Sequence, residues 1–394
     1  MKITKIEDLH CNAGWRDFSF LKVTSDSGII GWSEYNESYG GAGLTTAIRR
    51  MADTLIGKDP RPTEQVTATL YATTRQAPGG INQQAIAAIE NALLDVKAKD
   101  LGVPIYSLFG GPVRQDLPLY WSHCGGYRVR NPEILGVSPV RSLDDLVNLG
   151  QHVKSCGFKA LKTNIFRFDL NPPSMHQAGF NRGLGFPELN AEPAVLAGIA
   201  DALAAFRQGA GPEMGLHLDV NFNFKTDGFI KVAQICEPFK LSWLELDTYD
   251  AEGLRLIRDR ARMPIASCES LFGRRQYRPF FENRSIDVAI VDVPWNGLGE
   301  AIKIATMADA YEINCAPHNF YGHLSTMMSA HLAAIMPNFA IMEIDVDDVP
   351  WKDDLVTHPP AIKDGVMRVP SGPGWGTEVN EEALRAHPPN FPHA

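Results

Sequence analysis

LHLDVN (216–221), SWLE (242–245), IASCE (265–269), AIVD (289–292), NCAPH (314–318) and AIME (340–343) are the runs that decide the fold. Each is short, apolar and strand-like, and each carries an acid or an imidazole at or near its end: Asp219, Glu245, Glu269, Asp292, His318 and Glu343. The steps between these six residues are 26, 24, 23, 26 and 25 residues. That is about the length of one strand plus one helix in a barrel of repeated β/α units. A residue at the C-terminal end of a barrel strand points into the mouth where such barrels do chemistry, so the spacing gathers six polar side chains in one cup.

Working outward, LPLYWSH (117–123) and FKALKTN (158–164) precede the six as further strands. Eight strands are enough to close the barrel, which is expected over residues 116–350. The first 115 residues read differently. ITKIEDL (3–9), FSFLKVTS (18–25) and GIIGWSEY (28–35) look like three strands with a turn at Asp26-Ser27-Gly28, and two helical stretches follow. The second of these carries Ile86, Ile89, Leu93 and Val96 at helical spacing and stops at Gly102-Val103-Pro104. The expected architecture is therefore α/β: a modified TIM barrel of the (β/α)7β type under an α+β N-terminal capping domain. The tail, 351–394, rich in Pro and Gly, is expected to return to the cap. One loop breaks the step. Fifty-four residues separate Asn164 from Asp219, and the excess, 165–190, follows a strand's C-terminal end, so it is expected to cover the active face as a substrate lid.

Strand alternation puts His217, Asp219 and Asn221 on one face, with Leu218 and Val220 turned to the helices. Three consecutive strands then offer Asp219, Glu245 and Glu269. Three carboxylates in a narrow cup would repel one another without a cation, and an all-oxygen ligand set favours Mg²⁺ over zinc. One Mg²⁺ per subunit is the expectation. Asp292 and His318 stand on the next two strands, and a carboxylate beside an imidazole holds its tautomer and raises its basicity, as a general base requires.

The composition excludes other classes. The chain has 394 residues and a net charge of −9, with no basic tract to meet nucleic acid or an anionic membrane. No apolar run reaches the roughly 18 residues of a membrane span, and the N-terminus lacks an apolar signal core. Six cysteines lie scattered without a C-x-x-C pair, which suits reduced thiols. A cytoplasmic protein is expected, and a homo-oligomer.

These residues resemble the enolase superfamily, mandelate racemase subgroup, along nearly the whole chain. The cap runs GIIGWSE (28–34) and AIENALLDVKAKDLGVPIYSLFGG (88–111) are similar to that family's cap signatures, and the barrel shows three ligands, the Asp/His dyad and a final Glu in order. The resemblance implies a Mg²⁺-bound carboxylate substrate, loss of the proton α to the carboxylate, and an enediolate stabilised by the metal. It departs at the second strand. Racemases of the subgroup carry Lys-x-Lys, whose second lysine is a base, whereas here the residues are Lys162-Thr163-Asn164. Lys162 can still neutralise a substrate carboxylate; Asn164 can only orient. A base on one face alone suits a dehydratase of an acid sugar better than an epimerase, since His318, protonated by the first step, can return its proton to the β-hydroxyl. The product would be a 2-keto-3-deoxy acid. An epimerase using Lys162, or a cycloisomerase acting on a sugar acid or lactone, is the alternative, and a metal-binding scaffold without turnover is a third reading. Glu343 is expected to hydrogen-bond the substrate, as a neutral donor or as an acceptor. Asn221 and His217 in the cup, and His10, Trp15, Arg16 and the stretch Tyr35 to Tyr39 in the cap, are expected to bind a polyhydroxylated acid.

Overall fold

The computed structural model describes residues 1–39, 41–180 and 191–390. Eight parallel strands form the barrel: Asp116–Trp121, Ala160–Thr163, Gly215–Asp219, Trp243–Glu245, Ile265–Ser267, Val288–Asp292, Asn314–His318 and Met342–Ile344. They pair in chain order, the eighth returns to the first in the register Glu343↔Tyr120, and a bridge from Cys315 to Phe339 closes the seventh against the eighth. Helices follow the first seven strands, whereas the eighth leads into a 3₁₀ turn, Asp353–Leu355, and among the described residues a helix comes only in the tail, at Glu381–Ala386. Apart from the polar residues that face the barrel interior and mouth, the strands are mostly apolar because both of their faces are covered. Inward, Tyr120, Ala160, Trp243, Ala266, Val288, Ile290 and Ala316 fill the barrel as one cluster. Outward residues such as Leu161, Leu218, Leu244 and Val291 join the large core beneath the helices.

The cap is an antiparallel sheet of Ile3–Asn12, Asp17–Ser25 and Ile30–Tyr35, packed on helices. Three helices are present, Leu44–Ala52, Thr63–Thr73 and Gly80–Asp100, where the sequence suggested two. A turn through Gly57, in the left-handed region at φ 81°, and Pro60 and Pro62 separates the first pair.

Cap side chains serve as the missing N-terminal partners of barrel helices. Glu34 accepts the N–H groups of Gly322 at 2.6 Å and Ser325 at 2.9 Å, at the start of helix His323–Ile335. Asn91 accepts the N–H of Leu298 at 2.9 Å, and the neighbouring Glu90 lies so close to Gly297 that a Cβ there would sit 2.0 Å from its carboxylate oxygen. The tail goes two ways. A hairpin of Ile362–Lys363 and Val366–Arg368 adds to the outer end of the first barrel strand, while the Trp375 indole donates to the Trp32 carbonyl of the cap at 2.7 Å.

Of the long loop, 165–180 is described: Phe166–Arg167 pairs with Ser174–Met175, and Asn223 accepts the N–H of Gly179 at 2.8 Å. Residues 181–190, the rest of the expected lid, lie outside the described residues. No helix among those described is long and apolar enough to cross a membrane.

Candidate active site and metal centre

Asp219, Glu245 and Glu269 converge at the mouth of the barrel, with one oxygen from each lying within 4.8 Å of the others. Asp219 and Glu245 end their strands as direct neighbours in register. Glu269 comes two residues past its strand, and Cys268 takes a left-handed φ of 88° to turn it inward. All three are buried, and burial with mutual repulsion raises Glu245 to about 7 and Glu269 well above the carboxylate range. Three buried oxygen donors, two of them in carboxyls pushed away from ionisation, fit a hard divalent cation, whose charge would remove that penalty. The Trp243 indole donates to Glu245 at 2.9 Å and fixes its second oxygen.

His318 sits beside this triad. Its Nδ1 is 2.7 Å from Asp292 Oδ2, leaving Nε2, 3.4 Å from Glu269 Oε2, facing the cup. Burial alone would depress the imidazole pKa, but Glu269 and Asp292 raise it to about 10. The other contacts of Asp292 escaped the sequence reading. Tyr321 donates to Oδ2 at 2.6 Å and the Trp295 N–H to Oδ1 at 2.6 Å. Tyr321 follows His318 by only three residues, but its role depends on a turn that brings its hydroxyl back under the preceding strand.

Lys162 is completely buried. Its Nζ lies 2.9 Å from Glu245, 2.9 Å from Glu343 and 3.8 Å from Asp219. Burial opposes the charge, yet Glu245 and Glu343 hold the ammonium well above its ordinary pKa. Glu343 also accepts from the Ser122 hydroxyl and from the Asn319 N–H at 2.8 Å. Burial would raise it, but Lys162, His318 and His123 bring it down to about 2. The donors that point at its oxygens, Lys162, Ser122 and the Asn319 N–H, suit the acceptor of its two expected roles. Asn164 lies level with Asp219, its Nδ2 3.5 Å from the Asp219 carbonyl and its buried Oδ1 without a protein partner.

The other expected contacts divide. Asn221 stands at the rim in the left-handed region, φ 44°, and its N–H donates to Asp219 Oδ1 at 2.9 Å. His217 lies one layer lower in the barrel, stacked 3.5 Å from Trp243, part of the floor rather than the cup. Trp15 reaches the mouth from the cap and packs 4.5 Å from Tyr127. Arg16, expected to bind substrate, is buried beneath it and paired with Asp348 at 2.8 Å and Asp345 at 3.5 Å. Tyr39 approaches Phe320 at 5.8 Å. Tyr35 does not join them, because its ring is in the cap's own core and its hydroxyl meets Thr45 at 2.9 Å. His10 is likewise engaged on the cap sheet, with Ser19 and Asp8. Sequence reasoning missed Asp247, which is buried two residues past Glu245 and raised to about 8 by burial and by Asp219.

Residues 145–383 match the enolase C-terminal domain-like family and 12–110 the mandelate racemase / muconate lactonizing enzyme N-terminal domain. The chain belongs to the enolase superfamily, in its mandelate racemase subgroup. Among solved members of the superfamily fold, a protein of Burkholderia xenovorans strain LB400, provisionally described as an L-alanine-DL-glutamate epimerase and bound to magnesium and fumarate, is 45% identical, with a TM-score of 0.97 over 99% of this chain and 97% of that one. The D-xylonate dehydratase of Haloferax volcanii is 29% identical over 93% of this chain and 84% of its own. The 3,6-anhydro-D-galactonate cycloisomerase of Zobellia galactanivorans is 26% identical, with a TM-score of 0.81 over 98% of this chain and 99% of that one.

Proposed function

We propose that this enolase-superfamily protein is a Mg²⁺-dependent hydro-lyase that dehydrates an acid sugar to a 2-keto-3-deoxy acid. The observation that carries the reading is the position of His318: one nitrogen is anchored on Asp292 and the other faces the acidic triad at 3.4 Å. Asp219, Glu245 and Glu269 would hold the cation. When bound, it would neutralise the substrate carboxylate and so acidify the α-proton. The side chains do the rest. His318 Nε2 removes that proton, Asp292 and Tyr321 keep the ring aligned, and the Lys162 ammonium adds positive charge beneath the substrate carboxylate. Lys162 is tied to Glu245 and Glu343, which suits an electrostatic role better than that of a base. Asn164 and Asn221 are placed to orient substrate oxygens. Trp15, over Arg16, and Tyr39 suit contact with the distal end of a polyhydroxylated chain.

The dehydratase relatives support the reaction class, D-xylonate, D-gluconate and D-galactonate being the substrates in their names. The name of the 45% identical protein favours a second reading, epimerisation by the same α-proton chemistry. One experiment separates them: incubation with Mg²⁺ and a panel of acid sugars in D₂O, followed by proton NMR. A deuterated 2-keto-3-deoxy acid is the expected product. Deuterium in recovered substrate with a new C2 epimer, and no keto acid, would favour the second reading.

A further inference from the structure

His123 repeats the arrangement of His318 on the other side of the cup. It follows the first barrel strand, and its left-handed φ of 45° swings the ring off the strand direction. Its Nδ1 lies 2.8 Å from Asp345 Oδ1, just as His318 Nδ1 lies 2.7 Å from Asp292. Asp345 is fully buried, yet His123 and Arg16 keep it ionised, well below the ordinary carboxylate range. An ionised acceptor requires the proton on Nδ1, so the tautomer is set and Nε2 is left for chemistry. The ring is clamped against Tyr127, 4.6 Å away and nearly parallel, while 19% of the side chain remains exposed.

Its place in the cup matters. The Phe320 ring lies 6.2 Å from His123 and 5.0 Å from His318, so the two imidazoles flank one aromatic side chain. The first strand pairs with the second in the register Trp121↔Leu161, and Cys124 N–H donates to the Lys162 carbonyl at 2.9 Å. His123 therefore stands one step above Lys162, on the side where Asn164 offers no acid or base. His217 and His331, by contrast, are buried in the packing, and His323 is bound to Asp353.

We propose that His123, oriented by Asp345, is the second proton-transfer group of the cup and protonates the departing β-hydroxyl. The assignment rests on the dehydratase reading. His318 Nε2 takes the C2 proton and the C2 electron pair forms the C2–C3 double bond. The C3–O bond breaks, and the oxygen leaves as water with a proton delivered from His123 Nε2, while the Nδ1 proton stays toward Asp345. The enol then ketonises, taking a proton at C3 while its C2 hydroxyl gives one up to solvent. Overall one water is lost, with no oxidant or reductant.

The test follows two signals for His123→Asn in D₂O with Mg²⁺ and the acid that the wild type dehydrates. Keto-acid formation should fall 10²-fold or more, the usual range for one general acid. Loss of the C2 proton from unreacted substrate should persist or become visible, because His318 still works while elimination stalls. Thermal unfolding and Mg²⁺ calorimetry report whether the variant is folded, and His123→Gln, which keeps a donor toward Asp345, replaces it if it is not. Keto-acid formation within threefold of wild type would overturn the proposal, as would joint loss of both signals in a folded, Mg²⁺-binding variant. If the wild type only epimerises, the dehydratase reading fails on that protein alone. His123 is then judged by exchange: selective loss from one C2 epimer sustains it as a proton-transfer group, and equal loss from both overturns it.

Discussion

The Asp292 carboxylate holds His318 by Nδ1 at 2.7 Å while its same oxygen receives the Tyr321 hydroxyl at 2.6 Å. Two donors on one oxygen fix the position of the acceptor, and the acceptor fixes the imidazole plane. Asp292→Asn should therefore reduce kcat about 10²-fold with little change in Mg²⁺ affinity, by letting the ring settle in the wrong tautomer. Tyr321→Phe should cost about tenfold. Steady-state kinetics of both decide it; an Asp292→Asn enzyme within threefold of wild type would remove the dyad from the mechanism.

Glu245 is the middle carboxylate of the triad, and it is already held by Lys162 and the Trp243 indole. Glu245→Ala should abolish turnover and weaken Mg²⁺ binding at least 100-fold in titration calorimetry, since two carboxylates leave a hard cation under-coordinated. Stoichiometric, tight binding by this variant would refute the ligand assignment.

Lys162 neutralises two buried carboxylates at once. Removing one member of a buried ion pair typically costs about 3–5 kcal/mol because the remaining charge is unpaired. Lys162→Met should lower Tm without metal, and saturating Mg²⁺ should raise Tm more in the variant than in wild type, as the cation takes over compensation of Glu245. Equal Mg²⁺-induced shifts, measured by scanning calorimetry, would argue against a shared electrostatic centre.

Glu90, in the cap helix against Gly297, is fully buried, and burial raises its pKa from 4.5 to about 8, with Lys303 pulling it down and Glu300 and Glu64 pushing it further up. A carboxyl raised in the folded state binds its proton more tightly there than in the unfolded chain. Its stabilising contribution is complete below pH about 4.5 and is lost as the pH climbs through about 8. Tm should fall between pH 5 and pH 8.5. Glu90→Gln, which keeps an acceptor for the Gly299 N–H, should flatten that slope and be the more stable protein by a few degrees at pH 8.5. An unchanged slope would show that the charge is compensated in place.

The strand ends were legible in the sequence because period-two alternation and a constant step are local properties. They determined the barrel, the acidic triad and the pairing of Asp292 with His318, since residues that close neighbouring parallel strands must meet at one rim. What only the tertiary structure decided is everything that depends on side-chain direction across the barrel or on the docking of the cap. Tyr35 and Arg16 read as equivalent polar candidates in cap loops, yet one turns into the cap core and the other is buried against Asp345 and Asp348. Lys162 and Glu343 lie 181 residues apart and their ion pair exists only because the eighth strand returns to the first. His123 closed a recognisable strand, but nothing near it in sequence reveals that Asp345, 222 residues on, takes its Nδ1. Spacing along the chain sets which residues share a rim, whereas long-range contact sets which atoms they present there.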